Sequence, residues 1–273
     1  MSVKVAQKRV QNPLSRVRKR EFPYVFSTSK RMFQIVVKMM DVPGALESVL
    51  HALDKRINLI ESGSYSIQGG EAIWCAFGEV HSPDETPKSL ETSVASSPLT
   101  LACQVTESSD GLLVDSFHKG MEMENGERLM LFTWAGISGM FDRMAELFGT
   151  GAEVMLFYEG VSIGEVNTTN MIQRIGRDVA MRNMPAVIRM LSATGLGDAS
   201  LTGLDPSGVL TVRIDDCFEC SSRQKARHEC SFIRGLLSGS SKALLGIEVH
   251  YTETKCRLKG DGCCEFSMSL NAP

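Results

Sequence analysis

The chain has 273 residues, 43% hydrophobic and 22% charged, with 29 Lys plus Arg against 32 Asp plus Glu and a formal net charge of −3. That length allows one to two domains with a sizeable core, and the charge balance excludes a uniformly basic nucleic-acid binder. No apolar run reaches the roughly 18 residues a membrane helix needs, and the start of the chain lacks the apolar stretch of a secretory signal, so a cytoplasmic protein without membrane contact is expected.

Residues 1–30 read as a basic arm. Lys4, Lys8, Arg9, Arg16, Arg18, Lys19 and Arg20 occur there without an acid among the first 20 residues, ahead of a net acidic body. Nucleic-acid contact is expected only through this arm, by way of phosphates. Order is predicted to begin near Met32, with 32–39 as a short buried strand. Asp41-Val42-Pro43-Gly44 reads as a helix start, Asp41 capping free N–H groups and Pro43 lying in the first turn, where its missing donor costs nothing. Leu46, Val49, Leu50 and Leu53 then recur at helical spacing. Residues 57–67 and 71–80 are strand-like and flank Gln68-Gly69-Gly70, a hairpin turn. A second helix is expected over 84–96 and a fourth strand over 99–106. The order β-α-β-β-α-β is the split βαβ pattern of ferredoxin-like folds.

Asp41-Val42-Pro43-Gly44-Ala45-Leu46 followed by that hairpin resembles an ACT domain. The resemblance implies a regulatory module over 31–110, often paired, with an amino-acid-like effector bound around Asp41, Val42, Pro43, Gly44, Ala45 and Leu46. The chemistry agrees, because free N–H groups at a helix start attract a carboxylate and a glycine lets a ligand approach the backbone.

Residues 111–127 are turn-rich and read as a linker to a second domain over 128–273. There, 128–134 is expected as a strand and 136–148 as a helix. Residues 152–158 are ambiguous between strand and buried helix. A helix is predicted over 168–193, with Pro185 kinking or restarting it and Asn183 as a cap. Two strands follow over 199–214 about Asp205-Pro206-Ser207-Gly208, then a helix over 224–244 and strands at 247–255 and 264–270.

Six of the eight cysteines fall in the last 57 residues: Cys217, Cys220, Cys230, Cys256, Cys263 and Cys264. In a reduced compartment such clustering points to metal before disulfides. Cys230, Glu253, Cys256 and Cys264 stand out. Cys256 and Cys264 flank Lys259-Gly260-Asp261-Gly262, a turn that folds the chain back, and Glu253 lies three residues earlier. Three thiolates and a carboxylate make a closed tetrahedral set suited to a structural Zn²⁺. Cys217 and Cys220 can instead extend the set, or build an iron–sulfur cluster with Cys230. Cys263 is expected to face away, since successive strand residues alternate. Cys75 and Cys103 read as core residues, and His228 and His250 as non-ligands.

The strings CFEC (217–220), CSFIRGLLSG (230–239), LGIEVHYTETKC (245–256) and GDGCCEF (260–266), with Phe157-Tyr158-Glu159-Gly160 and Gly164 upstream, resemble a 4-vinyl reductase domain. The resemblance implies an α+β fold shared with TRAPP-type trafficking subunits and related to haem nitric-oxide-binding domains. It implies zinc on Cys230, Glu253, Cys256 and Cys264, and an apolar pocket of the kind used by phenol- and xylene-responsive activators. Tyr251, Arg234, Phe232, Trp134, Phe157 and Phe218 are the candidate pocket residues. No G-x-S-x-G, P-loop, H-E-x-x-H or dinucleotide fingerprint occurs. The expected protein is a small-molecule sensor, working as a homodimer, in which binding at one domain biases the other. The alternatives are an enzyme or enzyme accessory in tetrapyrrole, hydrocarbon or aromatic metabolism, and an assembly scaffold.

Overall fold

The computed structural model describes residues 24–27, 30–108, 111–123, 126–204, 210–221 and 229–269, which fall into an N-terminal unit ending at Met130 and a C-terminal unit starting at Leu131. The basic residues of the arm, the turn at 205–208 and His228 lie outside the described residues. Among those described, no helix is long and apolar enough to cross a membrane.

The N-terminal unit runs β1 (Tyr24–Phe26), β2 (Arg31–Met40), α1 (Ala45–Ala52), β3 (Asn58–Ile67), β4 (Glu71–Val80), α2 (Pro87–Ala95), β5 (Thr100–Glu107) and β6 (Leu112–Val114), then the two-residue strands β7 (Met121–Glu122) and β8 (Arg128–Leu129). Its main sheet is antiparallel in the order β3-β4-β2-β5. Central strand β2 is buried on both faces. Phe33, Ile35, Val37 and Met39 pack with Ala45, Val49, Leu53, Leu90 and Val94, while Met32 meets Phe77 and Leu113 in a second cluster. Thr86 caps α2 in a reciprocal pair with Ser89.

Three local expectations change. Helix α1 starts at Ala45, one residue after Gly44, whose φ of +89° suits glycine; Asp41 makes no cap and Pro43 precedes the helix. Residues 24–26 are not a loose arm, because β1 pairs antiparallel with β6. The strand expected over 128–134 shrinks to β8. Its partner β7 is two residues long, and Thr133 turns the chain into a helix by accepting the Gly136 N–H at 3.1 Å.

The segment after β6 is clamped onto the sheet by Asp115. One carboxylate oxygen accepts Gln34 Nε2 at 2.7 Å and the N–H groups of Phe117 and His118; the other meets His118 Nδ1 at 2.7 Å. Burial opposes the ionised form, but the bonds from His118, Gln34 and Phe117 prevail and hold Asp115 below its ordinary value. A depressed carboxylate stabilises the fold above its unfolded pKa and loses that contribution as pH falls through the folded one. Asp115→Asn is therefore expected to cost about 2 kcal/mol near neutrality. The gap to wild type should close as pH drops from about 5 to about 2. Urea titrations at several pH values read this directly, and a pH-independent gap would contradict it.

The C-terminal unit runs α3 (Trp134–Phe148), α4 (Thr150–Ile175), α5 (Arg177–Arg182), α6 (Met184–Ala193), β9 (Asp198–Leu204), β10 (Leu210–Asp215), a 3-10 turn (Phe218–Ser221), α7 (Ser231–Leu245), β11 (His250–Lys255), a 3-10 turn (Arg257–Lys259) and β12 (Cys264–Ser269). The strands form one antiparallel sheet in the order β11-β12-β10-β9. Ile233, Leu237 and Leu244 of α7 are buried, the first two in one core with Val212, Ile214, Val249, Tyr251 and Phe266 of the sheet side. The ambiguous 152–158 is helix, inside α4. The helix expected over 168–193 is interrupted at Gly176 (φ +81°) and restarts at Met184 with Pro185 in its first turn; the Asn183 side chain donates back to the Val179 carbonyl instead of capping. Helix α7 begins at Ser231 rather than near 224, with Cys230 at its N-cap.

Helices α4 and α7 approach through four glycines. A Cβ on Gly235 would strike the Phe157 carbonyl, on Gly239 the Val161 carbonyl, on Gly160 the Phe232 carbonyl and on Gly164 the Leu236 carbonyl. Each obstacle is backbone, so neither side yields cheaply. Gly235→Ala is expected to part the helices and cost about 1–3 kcal/mol. Alanine is the better helix former, so a variant that melts at or above the wild-type temperature would show that the contact is not tight.

Candidate metal centre and aromatic cluster

The hairpin between β11 and β12 brings distant cysteines together. Lys255 pairs with Glu265, so the two strand ends that follow, Cys256 and Cys264, lie side by side. The intervening turn is closed by Lys259 N–H on the Cys256 carbonyl at 2.9 Å and by Gly260 at φ +100°. Asp261 accepts the Cys256 N–H at 2.8 Å, which fixes the thiol's own backbone. Cys230 enters from the N-cap of α7, and Cys220 from the 3-10 turn after β10.

Ligand atoms of Cys220, Cys230, Glu253, Cys256 and Cys264 all lie within 4.8 Å of one another. Cys220 Sγ stands 2.9 Å from Cys230 Sγ, 3.2 Å from Cys264 Sγ and 3.6 Å from Cys256 Sγ, and Cys230 and Cys264 are 3.8 Å apart. Cys230, Cys256 and Cys264 are fully buried. Glu253 Oε2 accepts the Cys230 N–H at 3.2 Å, whereas Oε1 is buried with no hydrogen-bond partner. Burial pushes the Glu253 carboxyl up to about 8. The Cys230 thiol, bonded to Cys217 and the other thiols, is held above its ordinary value. Cys256, which accepts from Cys230, is drawn down to about 5. An orphaned carboxylate oxygen among four crowded thiols fits a thiophilic divalent ion.

All four residues expected as ligands therefore meet, and Cys220 joins them. Its spacing from Cys217 was the available signal. Cys217 is buried 3.9 Å from Cys230 Sγ but outside the five; Cys263 is buried and likewise outside, while His250 is exposed.

The six pocket candidates do not converge. The Phe218 and Phe232 rings pack against each other with centroids 5.8 Å apart, and Phe141 closes the triangle at 5.9 and 5.4 Å. Trp134 Nε1 donates to the Phe218 carbonyl at 3.0 Å. In the sequence, Phe141 is legible only as one apolar position of a helix stripe. Arg234 caps the Phe157 ring at 5.3 Å and pairs with Glu229 at 2.7 Å, yet its Nε is buried without an acceptor. Tyr251 is buried, and its hydroxyl is 3.0 Å from Ser241 Oγ. In the N-terminal unit, Asp41, Val42, Pro43 and Gly44 are exposed, whereas Ala45 is buried in the core and Leu46 packs against it.

Residues 210–270 match the 4-vinyl reductase (4VR) domain family. No curated protein matches the chain. Among solved structures, the chain is similar to the phenol-responsive sensory domain of the transcription activator PoxR with phenol, at 19% identity over 54% of this chain and 82% of that one, with a TM-score of 0.42. It is also similar to trafficking protein particle complex subunit 3 from Naegleria fowleri covalently bound to palmitic acid, at 15% identity over 50% and 93%, TM-score 0.40. A vinyl-4-reductase family protein from Methanocaldococcus jannaschii is similar at 13% identity over 52% and 96%, TM-score 0.31. The C-terminal unit of this chain contains a 4-vinyl reductase domain.

Proposed function

We propose that this protein is a cytoplasmic small-molecule sensor whose 4-vinyl reductase domain binds a small aromatic ligand beside a structural metal ion. What supports this most directly is the adjacency of two features at one end of α7. Cys230 and Phe232 lie at the helix start, and Phe218 and Cys220 lie on the turn beside it, so the thiol centre and the aromatic triangle share the same short segments. The rings are packed on one another, so a ligand enters by parting them; edge-to-face contacts between aromatic rings are easily exchanged for equivalent contacts with an aromatic guest. Trp134 and the unpartnered Arg234 Nε offer polar contacts for a ligand oxygen. Tyr251 and Phe157 complete the proposed wall.

Cys230, Cys256 and Cys264 would hold zinc, with the fourth place open to Glu253 or Cys220. The ion would supply no chemistry beyond tying α7 to the β11–β12 hairpin. Ligand atoms this close together suit one ion; an iron–sulfur cluster, with bridging sulfides, spreads its cysteines further apart. A reducing compartment keeps such free thiols available, in line with the cytoplasm. The N-terminal unit is read as an ACT-like module: its strand order is that of a split βαβ fold, and the exposed turn at 41–44 is where an amino-acid effector would sit. A homodimer is part of the same reading.

The test is native mass spectrometry and calorimetry with a panel of phenols and alkylbenzenes on the zinc-loaded chain. The expected result is saturable binding of at least one aromatic, weakened about tenfold or more by Phe232→Ala. No binding across the panel, with zinc in place, would refute the sensor reading.

A further inference from the structure

The metal reading leaves one donor too many, since five ligand atoms surround a position that a four-coordinate ion would take. We propose that Cys220 supplies the fourth ligand of a four-thiolate site with Cys230, Cys256 and Cys264, and that Glu253 stands outside the coordination sphere. The proposal rests on the metal reading above and specifies its ligand set.

Distances carry the first part of the argument. Cys220 Sγ contacts each of the other three thiols, at 2.9, 3.2 and 3.6 Å. Zinc with Zn–S bonds of about 2.3 Å spaces its sulfurs about 3.8 Å apart along each tetrahedral edge. The opposite edges Cys220–Cys256 at 3.6 Å and Cys230–Cys264 at 3.8 Å already stand close to that spacing, and the two shorter ones need only lengthen as an ion enters.

Cys220 is also placed by groups that have no other reason to hold it there. Glu219, its neighbour, is buried with both carboxylate oxygens on α7, accepting the N–H groups of Phe232 and Ile233 at 3.0 Å. The Cys220 N–H donates to the Cys217 carbonyl at 3.2 Å, and the Phe218 N–H to the Leu196 carbonyl at 3.1 Å. The turn is thus fixed at both ends, with its thiol aimed at the other three. Glu253, by contrast, already uses Oε2 on the Cys230 N–H, and a thiophilic ion prefers a fourth thiolate to a carboxylate. One consequence reaches the ligand: Phe218 lies two residues before Cys220, so a metal on Cys220 tethers one wall of the aromatic triangle.

The experiment is X-ray absorption on the zinc-loaded full chain, joined to Co²⁺ titration of wild type, Cys220→Ser and Glu253→Gln. Four Zn–S contacts with no Zn–O contact are expected. The sulfur-to-cobalt charge-transfer absorption should fall by about a quarter in Cys220→Ser, as one of four thiolates is lost, and stay unchanged in Glu253→Gln. Three Zn–S contacts plus one Zn–O contact, with undiminished absorption in Cys220→Ser, overturn the proposal and leave the metal reading standing. If wild type takes up neither zinc nor cobalt, both fall together. Should Cys220→Ser fail to fold, the absorption spectrum of the wild-type zinc protein decides alone.

Discussion

Cys256→Ser is expected to empty the thiol centre and destabilise the C-terminal unit by about 3 kcal/mol or more, because structural zinc contributes its binding free energy to folding. Cys256 sits where three constraints meet. Its thiol lies in the five-donor group, its N–H is held by Asp261, and its carbonyl closes the turn that brings Cys264 alongside. Serine keeps both backbone contacts and removes only the sulfur, so the loss reports on the metal. Zinc per chain should drop below one, and the urea midpoint should fall in zinc-loaded protein but much less in chelator-treated protein. The pH dependence follows from the donors. Without metal, Cys256 is already drawn down to about 5, but Glu253 is pushed up to about 8 and Cys230 is held above its ordinary value. Binding through Cys230 must displace its proton, so affinity should rise with pH through neutrality. Unchanged zinc content and melting in Cys256→Ser would remove the site from the account.

Much of this centre was legible in the sequence because a hairpin is a local device. Cys256 and Cys264 flank a glycine-rich turn, and Gly260 takes the positive φ that such a turn needs. Strand alternation likewise places Tyr251 on the buried side of β11, with exposed neighbours at 250 and 252. Cys220 and Phe141 were harder to place, since their positions depend on which elements pack together, and periodicity carries no such information. The strand expected over 128–134 failed for a related reason: an apolar run forms a strand only where a partner exists to pair with it, and β7 offers two residues. In the other unit the β-α-β-β-α-β order was readable from short repeats and turns. The clamp made by Gln34, Asp115 and His118 was not, because it joins residues about 80 positions apart in sequence.

Glu219→Ala is expected to cost about 2–4 kcal/mol, a large effect for a residue that neither fills the core nor binds an ion in the site proposed above. Glu219 is 2% exposed and faces the first turn of α7, where backbone N–H groups have no partner within the helix. Its two oxygens accept the Phe232 and Ile233 N–H groups, each at 3.0 Å, a charge-assisted pair at the positive end of the helix dipole. Alanine leaves both donors buried and unmet. Glutamine retains one acceptor but turns an amide N–H₂ toward a backbone N–H, so Glu219→Gln should recover less than half of the loss. The side chain also joins the Cys217–Cys220 turn to α7, which separates its role from that of an ordinary cap. Hydrogen exchange in peptides covering 231–245 should accelerate most at the first turn, and zinc affinity should weaken in the same variant as Cys220 loses its support. Protection at 231–234 equal to wild type would show that the carboxylate does not hold the helix start. Faster exchange with unaltered zinc affinity would instead confine Glu219 to capping and place Cys220 outside the ligand set.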